Sequence, residues 1–173
     1  MGTAFLLLLG SCSRPFPIDV VARNGELLFW TERSWRWFII PERKREEICS
    51  IDMWSEGQWV WRTRFDTVSE CRASPIRYGE RIAGYVTEMP ARKLVIGRPY
   101  WVRVTGVYGE GMAGFTLSPE REVVRLDIQD SPPDPHQIAY DKRREAKIAA
   151  FMAQGLSREE AEQRWDNETL NPE

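Results

Sequence analysis

Apolar and polar residues alternate along most of the chain between residues 18 and 130, with the period of two that is typical of half-buried β-strands. Asn24-Gly25 separates two such stretches, and this dipeptide favours a two-residue β-hairpin turn. Ser55-Glu56-Gly57 separates two further stretches and predicts a second hairpin. More short apolar segments follow at close spacing, with no long helical pattern between them. The pattern predicts a mainly β fold, an antiparallel sandwich or barrel, over residues 18–130.

The pattern changes at residues 131–135, a proline-rich linker that would end any sheet. Asp134 predicts a helix N-cap, because its carboxylate can accept a hydrogen bond from the first helical turn. Apolar residues then follow a helical pattern up to Gly155, which is suited to the position just past a helix end. Ser157 and Glu160 form a capping box that predicts a second helix, running through Trp165.

Residues 136–173 are therefore predicted to be a helical tail, folded as a hairpin. Its apolar side chains are expected to cluster around the bend: Ile138, Ile148, Phe151, Met152, Leu156, Ala161 and Trp165. A helical hairpin of this size is marginally stable alone. It must dock on the sandwich, pair with a second copy or await a partner, and the sequence leaves these three alternatives open.

The N-terminus carries a short apolar stretch that ends in Leu9-Gly10-Ser11-Cys12. This tetrapeptide resembles the lipobox of bacterial lipoproteins. The resemblance implies a signal peptide over residues 1–11, a lipid on Cys12 and a tether over residues 12–17. The alternative is a buried N-terminal strand, although the globular pattern starts only near Ile18. A transmembrane helix is not predicted, because spanning takes about 20 apolar residues.

The lipobox resemblance implies a location in the bacterial cell envelope, with attachment to the membrane through the lipid. Ser13 follows the lipidated Cys, and by resemblance to enterobacterial sorting this residue implies the outer membrane, facing the periplasm. In such an oxidising space Cys49 and Cys71 are expected to form a disulfide. The alternative is two separate buried thiols. A metal site is not predicted, because there is no Cys-x-x-Cys and the one histidine, His136, lies in the tail.

Residues 94–100 and the alternating strand after them resemble the E–F corner of a fibronectin type III domain. The resemblance extends over residues 46–128 and implies an immunoglobulin-like sandwich. In that family the Leu enters the core, the Gly allows the turn and the Tyr hydroxyl bonds back to the corner, which places these roles on Leu94, Gly97 and Tyr100.

The same resemblance implies that residues 46–65 supply strands B and C, and that residues 112–126 supply the last strand.

Eight tryptophans suggest a second kind of site. By a period of two, Trp35 and Trp37 share a face, as do Trp59 and Trp61. Aromatic platforms bind sugar rings, so an envelope glycan is a candidate ligand. The alternative is core packing and cross-strand aromatic pairing. Arg62 and Arg64 fall on the face opposite Trp59 and Trp61, which favours tryptophans that point inward.

Gly109, Gly111 and Gly114 spell the G-x-G-x-x-G fingerprint of dinucleotide-binding proteins. That fingerprint requires a helix next, whose N-terminus meets the pyrophosphate, whereas a strand-like segment follows here. The glycines are therefore predicted to form a flexible hairpin loop, the F–G loop of the sandwich. Loops of this kind lie at a sandwich end, where such folds bind partners.

Nothing in the sequence points to catalysis. The net charge of -2 disfavours nucleic acid, no G-x-S-x-G occurs, and the acidic pairs lie in exposed charged runs. No catalytic residue, cofactor or metal is predicted, and an enzyme is the least favoured function. We expect a non-catalytic envelope lipoprotein that binds another envelope protein through its sandwich loops, its tail or both. The alternative is a glycan-binding module.

Overall fold

A computed structural model describes residues 16–31, 33–34, 43–44, 47–65, 71–107 and 109–170. The chain divides into two compact units, Met1–Ser131 and Pro132–Glu173. The first is built of antiparallel strands and the second of two helices, so the prediction of a mainly β fold with a C-terminal helical hairpin is confirmed. Cys12 and the proposed signal peptide lie outside the described residues, as do Trp35 and Trp37.

The strands of the first unit are short and follow one another closely. They are β1 (Ile18–Arg23), β2 (Glu26–Thr31), β3 (Arg33–Ser34), β4 (Arg43–Lys44), β5 (Glu47–Ser55), β6 (Gln58–Phe65), β7 (Arg72–Ala73), β8 (Ile76–Arg77), β9 (Tyr85–Met89), β10 (Tyr100–Gly106), β11 (Glu110–Leu117) and β12 (Val123–Leu126). The helices of the second unit are α1 (Pro135–Ala153) and α2 (Arg158–Leu170).

Two of the sheets share one hydrophobic core. The small sheet has the order β1-β2-β8, and the large sheet has the order β12-β11-β10-β5-β6-β9, with β7 also paired to β5. Phe29 and Ile76 of the small sheet lie in the same buried cluster as Ile51, Val102 and Phe115 of the large sheet. The β unit is therefore a two-layer, sandwich-like arrangement, because each sheet buries its apolar face against the other.

Both predicted hairpins are confirmed. Asn24 and Gly25 have φ angles of 53° and 76°, and Glu56 and Gly57 have φ angles of 51° and 70°. A two-residue turn with positive φ at both positions matches the natural twist of the flanking strands, so it joins β1 to β2 and β5 to β6 without a longer loop.

The assignment of residues 46–65 to strands B and C is wrong. These residues form β5 and β6, which are neighbours in the large sheet, whereas B and C of the immunoglobulin fold lie in opposing sheets. The tight turn at Glu56-Gly57 forces the two strands to pair. Residues 112–126 likewise form two strands rather than one, because a turn held by the hydrogen bond from Ser118 N to Glu122 O, 2.9 Å, reverses the chain between β11 and β12.

The predicted disulfide is confirmed. Cys49 and Cys71 are bonded, with their Cα atoms 4.5 Å apart. The bond joins β5 to the residue just before β7, where the backbone of Arg72 pairs with Ile48. The chain then crosses to β8 in the small sheet. The disulfide thus fastens the point at which the chain passes from one sheet to the other.

The helical unit follows its predicted capping signals. The Asp134 carboxylate accepts a hydrogen bond from Gln137 N at 2.9 Å, and Gly155 follows α1 with a φ of 97°. Ser157 and Glu160 cap α2 reciprocally, and hydrogen bonds from the Ser157 hydroxyl and backbone N–H hold the pKa of Glu160 below its ordinary value.

Two details of the tail differ from the prediction. Helix α2 continues to Leu170, past Trp165, and the apolar cluster is smaller than expected. Ile148, Phe151 and Ala161 are buried, with Leu156 and Trp165 packed against them. Met152 is 44% exposed and Ile138 is half-buried, and neither belongs to the cluster.

Candidate functional site

A groove of about 820 Å³ lies at one end of the β unit. It is lined by the β1–β2 turn, by β8 and the residue after it, by the segment before β10 and by the end of β11. Its apolar lining comes mainly from aliphatic side chains: Leu27, Leu94, Val95, Ile96 and Leu117. We call this feature the end groove. Four segments that are distant in sequence build it, so it depends on the assembled sandwich.

The segment before β10 forms one wall of the end groove and is tightly held. Val95 N donates a hydrogen bond to the Tyr100 hydroxyl at 2.7 Å, and Gly97 N donates to Leu117 O at 2.9 Å. Gly97 has a φ of 75°, in the left-handed region that favours glycine. Leu94 packs against the core. Leu94, Gly97 and Tyr100 thus lie close together at this wall, and the Tyr100 hydroxyl holds the backbone of Val95.

Two aliphatic side chains project from this wall. Val95 is 48% exposed and Ile96 is 47% exposed. We call these two residues the apolar ridge. Ser55 Oγ also donates to Pro99 O at 2.7 Å, so the β5–β6 hairpin supports the same segment from below. The apolar ridge is therefore presented to solvent by a rigid backbone.

Tyr78 forms another part of the groove wall. Its hydroxyl donates to Arg92 O at 2.6 Å, and its ring packs edge-on against Trp61 with centroids 5.3 Å apart. Burial raises the pKa of Tyr78 above the ordinary tyrosine value. Since the hydroxyl is committed to the Arg92 carbonyl, Tyr78 serves chiefly to hold this wall in place.

The charged residues at the end groove are mostly basic. Arg77 pairs with Glu26 at 3.1 Å, which neutralises both side chains. Lys93 and Arg121 also line the groove, and within the described part of the chain neither forms an ion pair. Arg121 has a φ of 64°, held by the turn that joins β11 to β12. The rim thus carries two basic side chains that have no ion-pair partner among the described residues.

The glycine-rich segment is not the flexible loop that the sequence predicted. Gly111 and Gly114 lie inside β11, and only Gly109 precedes the strand. A Cβ atom at position 111 would lie 2.8 Å from Cγ1 of Ile18, and one at position 114 would lie 2.7 Å from Cε3 of Trp101. Glycine is required at positions 111 and 114 because other groups approach the strand closely, so these two residues serve the packing of the sheet.

Trp59 and Trp61 do not share a face. The β5–β6 register shifts at this point, so that Trp59 pairs with Trp54 and Trp61 pairs with Met53. Trp61 is buried in the core, while Trp59 lies half-buried on the outer face with Arg62, whose guanidinium is 4.4 Å from the Trp59 ring centre. The β-bulge breaks the period of two, so the predicted two-ring platform for a sugar is not formed by these residues.

A row of tryptophans crosses the outer face of the large sheet instead. Trp59 pairs with Trp54 on the next strand, and Trp54 pairs with Trp101 on the strand beyond. Trp54 and Trp101 are buried, and Arg62 is fixed beside them by Asp52 at 2.9 Å. Sequence analysis missed this row, although the alternation around Trp54 and Trp101 places both residues opposite the core face. Because its central rings are covered, the row stabilises the sheet rather than offering an open platform.

Within the described residues, no group of three or more His, Cys, Asp and Glu side chains is arranged to hold a metal ion. None of the described helices combines the length and the apolar composition needed to cross a bilayer. Comparison of the chain with protein-family models, with curated proteins and with solved structures finds no match.

Proposed function

We propose that this chain is a non-catalytic lipoprotein of the bacterial cell envelope that binds another envelope protein at the end groove. The observation that carries the proposal is the apolar ridge, two half-exposed aliphatic side chains on a backbone held by the Tyr100 hydroxyl. Exposed apolar surface beside a concave site is typical of interaction sites. A rigid wall also reduces the entropy lost on binding.

We also propose that the β unit is an immunoglobulin-like, fibronectin type III-like domain. Strand order supports this: β1, β2 and β8 take the places of A, B and E, while β5, β10 and β11 take those of C, F and G. In this assignment Tyr100 opens strand F, and its hydrogen bond to Val95 supports a tyrosine corner. Strands β6, β9 and β12 extend the second sheet.

The compartment is supported by the Cys49–Cys71 disulfide, since structural disulfides persist in oxidising spaces. Lipidation of Cys12 and attachment to the outer membrane, facing the periplasm, belong to the same proposal. Incorporation of labelled palmitate in the host, lost in Cys12→Ser, is the expected result. A wild-type chain that takes up no label would remove the anchor from the proposal.

Crosslinking in the host tests the binding site. Ile96→Asp places a charge on the apolar ridge and is expected to abolish the crosslinked product. Val124→Asp is the matched control, because Val124 on β12 is equally exposed, at 47%, and does not line the groove, so its variant should retain the product. An undiminished product with Ile96→Asp would contradict the proposed site.

Deletion of residues 131–173 tests whether the partner binds at the end groove or at the helical tail. If the end groove binds the partner, the truncated chain still forms the crosslinked product. Loss of the product upon truncation, with the β unit still folded by circular dichroism, would place the binding surface on the helical tail instead.

A further inference from the structure

The end groove lies at the opposite end of the β unit from the point where the chain enters it. Phe16 N donates to Glu110 O at 3.1 Å, which fixes the start of the described chain beside the first residue of β11. Strand β1 then runs six residues, about 20 Å, to the turn at Gly25, which lines the groove. Leu117, at the far end of β11, lines the groove too. A tether that precedes Phe16 therefore leaves the sandwich at the end remote from the groove.

The position of the groove relative to the tether distinguishes two kinds of ligand, a lipid surface and a soluble macromolecule. A basic rim with an apolar ridge could in principle rest on an anionic lipid surface. A lipid at Cys12 would hold the Phe16 end near the membrane, because four residues span at most about 14 Å. The end groove then faces away from the bilayer, so its occupant is a macromolecule that approaches from the periplasmic side.

The lining of the groove favours a peptide over a sugar. Sugar rings pack on aromatic faces, whereas this groove offers six aliphatic side chains, Ala22 among them, and one tyrosine, Tyr78, whose hydroxyl is already bonded. Aliphatic side chains of an extended peptide fit such a lining. Lys93 and Arg121, which form no ion pair within the described part of the chain, then attract acidic residues beside them.

We propose that the end groove binds an extended, acidic segment of a partner protein, with aliphatic side chains against the apolar ridge and carboxylates at Lys93 and Arg121. This inference rests on the proposed function, and it adds the chemistry of the partner. Glu26 does not oppose the charge preference, because Arg77 neutralises it at 3.1 Å.

Selection from a displayed library of random peptides on the purified full-length chain tests the inference. Peptides whose binding is lost in Ile96→Asp are expected to be enriched in Asp and Glu by about fivefold, the effect of two exposed ion pairs. The double variant Lys93→Glu, Arg121→Glu is expected to select Lys and Arg instead. Lys93 and Arg121 are both exposed, so their substitution should not disturb the core, and circular dichroism checks that each variant is folded.

Each outcome has a distinct meaning. Groove-dependent peptides without acidic enrichment would overturn the acidic partner and leave the proposed binding site standing. If the selection yields no peptide whose binding depends on the end groove, both the acidic partner and the proposed binding site are overturned. If an acidic oligosaccharide competes as strongly as the selected peptides do, the inference is overturned in favour of a glycan. If the chain binds vesicles of phosphatidylcholine and phosphatidylglycerol in a charge-dependent way, it is overturned in favour of a lipid surface.

Discussion

Gly114 lies directly beneath the indole of Trp101, so close that a Cβ atom at position 114 would come within 2.7 Å of Cε3 of the ring. The two residues pair across β10 and β11 on the outer face of the large sheet. Gly114→Ala is therefore expected to lower the free energy of unfolding by about 1–3 kcal/mol, the usual effect of overpacking, measured by urea denaturation. In the background of Trp101→Leu the same alanine should have little further effect, since the ring is gone. Equal losses in both backgrounds would refute the steric explanation.

Tyr100→Phe removes the hydroxyl that accepts the Val95 N–H at 2.7 Å but keeps the ring, which packs against Phe115 with centroids 5.6 Å apart. We expect a loss of about 1 kcal/mol in unfolding free energy, because one part-buried hydrogen bond is lost. Hydrogen exchange at the Val95 amide should become faster, as measured by NMR. Unchanged exchange at Val95 would show that the segment before β10 does not depend on this hydroxyl. Tyr140→Phe, in the helical unit, serves as a control with no effect on the Val95 amide.

Local signals allowed the sequence to predict the hairpins and the helix ends. Asn24-Gly25 adopts the positive φ angles of its turn, and Ser157 with Glu160 makes the expected reciprocal cap. These features depend on a few adjacent residues, so a single sequence contains the information. The disulfide between Cys49 and Cys71 was predictable for a different reason, since they are the two cysteines within the globular pattern.

Features that depend on distant segments were not predictable in this way. The bulge that separates Trp59 from Trp61 interrupts a period of two that looks continuous in the sequence. Gly111 is glycine because Phe16 and Ile18 approach it, and that approach exists only in the folded sheet. The end groove is the clearest case: the sequence singled out Leu94, Gly97 and Tyr100, but only assembly with β1, β8 and β11 makes the segment before β10 one wall of a cavity.

The disulfide closes a loop with a sequence separation of 22 residues. In the chain-entropy model, such a bond raises the free energy of unfolding by about 3 kcal/mol. Cys49→Ser combined with Cys71→Ser should therefore lower the urea midpoint strongly, whereas Cys12→Ser should leave it unchanged. A double variant that is as stable as the wild type would mean that pairing of β7 with β5 holds the crossing without the covalent bond.

Tyr85 makes stability sensitive to alkaline pH. Its ring packs against Phe65, its hydroxyl donates to the carbonyl of Ile48, and burial raises the pKa of Tyr85 to about 12. Because the folded-state pKa is above the unfolded value of 10.0, this contribution is fully present below pH 10.0 and is lost as the pH rises toward 12. The free energy of unfolding, measured from about pH 9 to about pH 12, should fall less steeply with pH in Tyr85→Phe than in the wild type. Identical slopes would show that Tyr85 does not titrate differently upon unfolding.

The helical unit depends on a core of few residues, among which Phe151 is the largest that is buried. The ring lies under Arg164, whose guanidinium is 4.5 Å from the ring centre, so it joins α1 to α2. Phe151→Ala is expected to remove about 3–5 kcal/mol, which is more than a hairpin of this size can lose, and the helical signal in far-ultraviolet circular dichroism should drop. Met152→Ala, one position along the same helix at a side chain that is 44% exposed, should leave that signal unchanged. If both variants kept the full helical signal, the stability of the hairpin would have to come from its caps and ion pairs, such as Arg158 of α2 with Glu145 of α1 at 3.3 Å, rather than from its core.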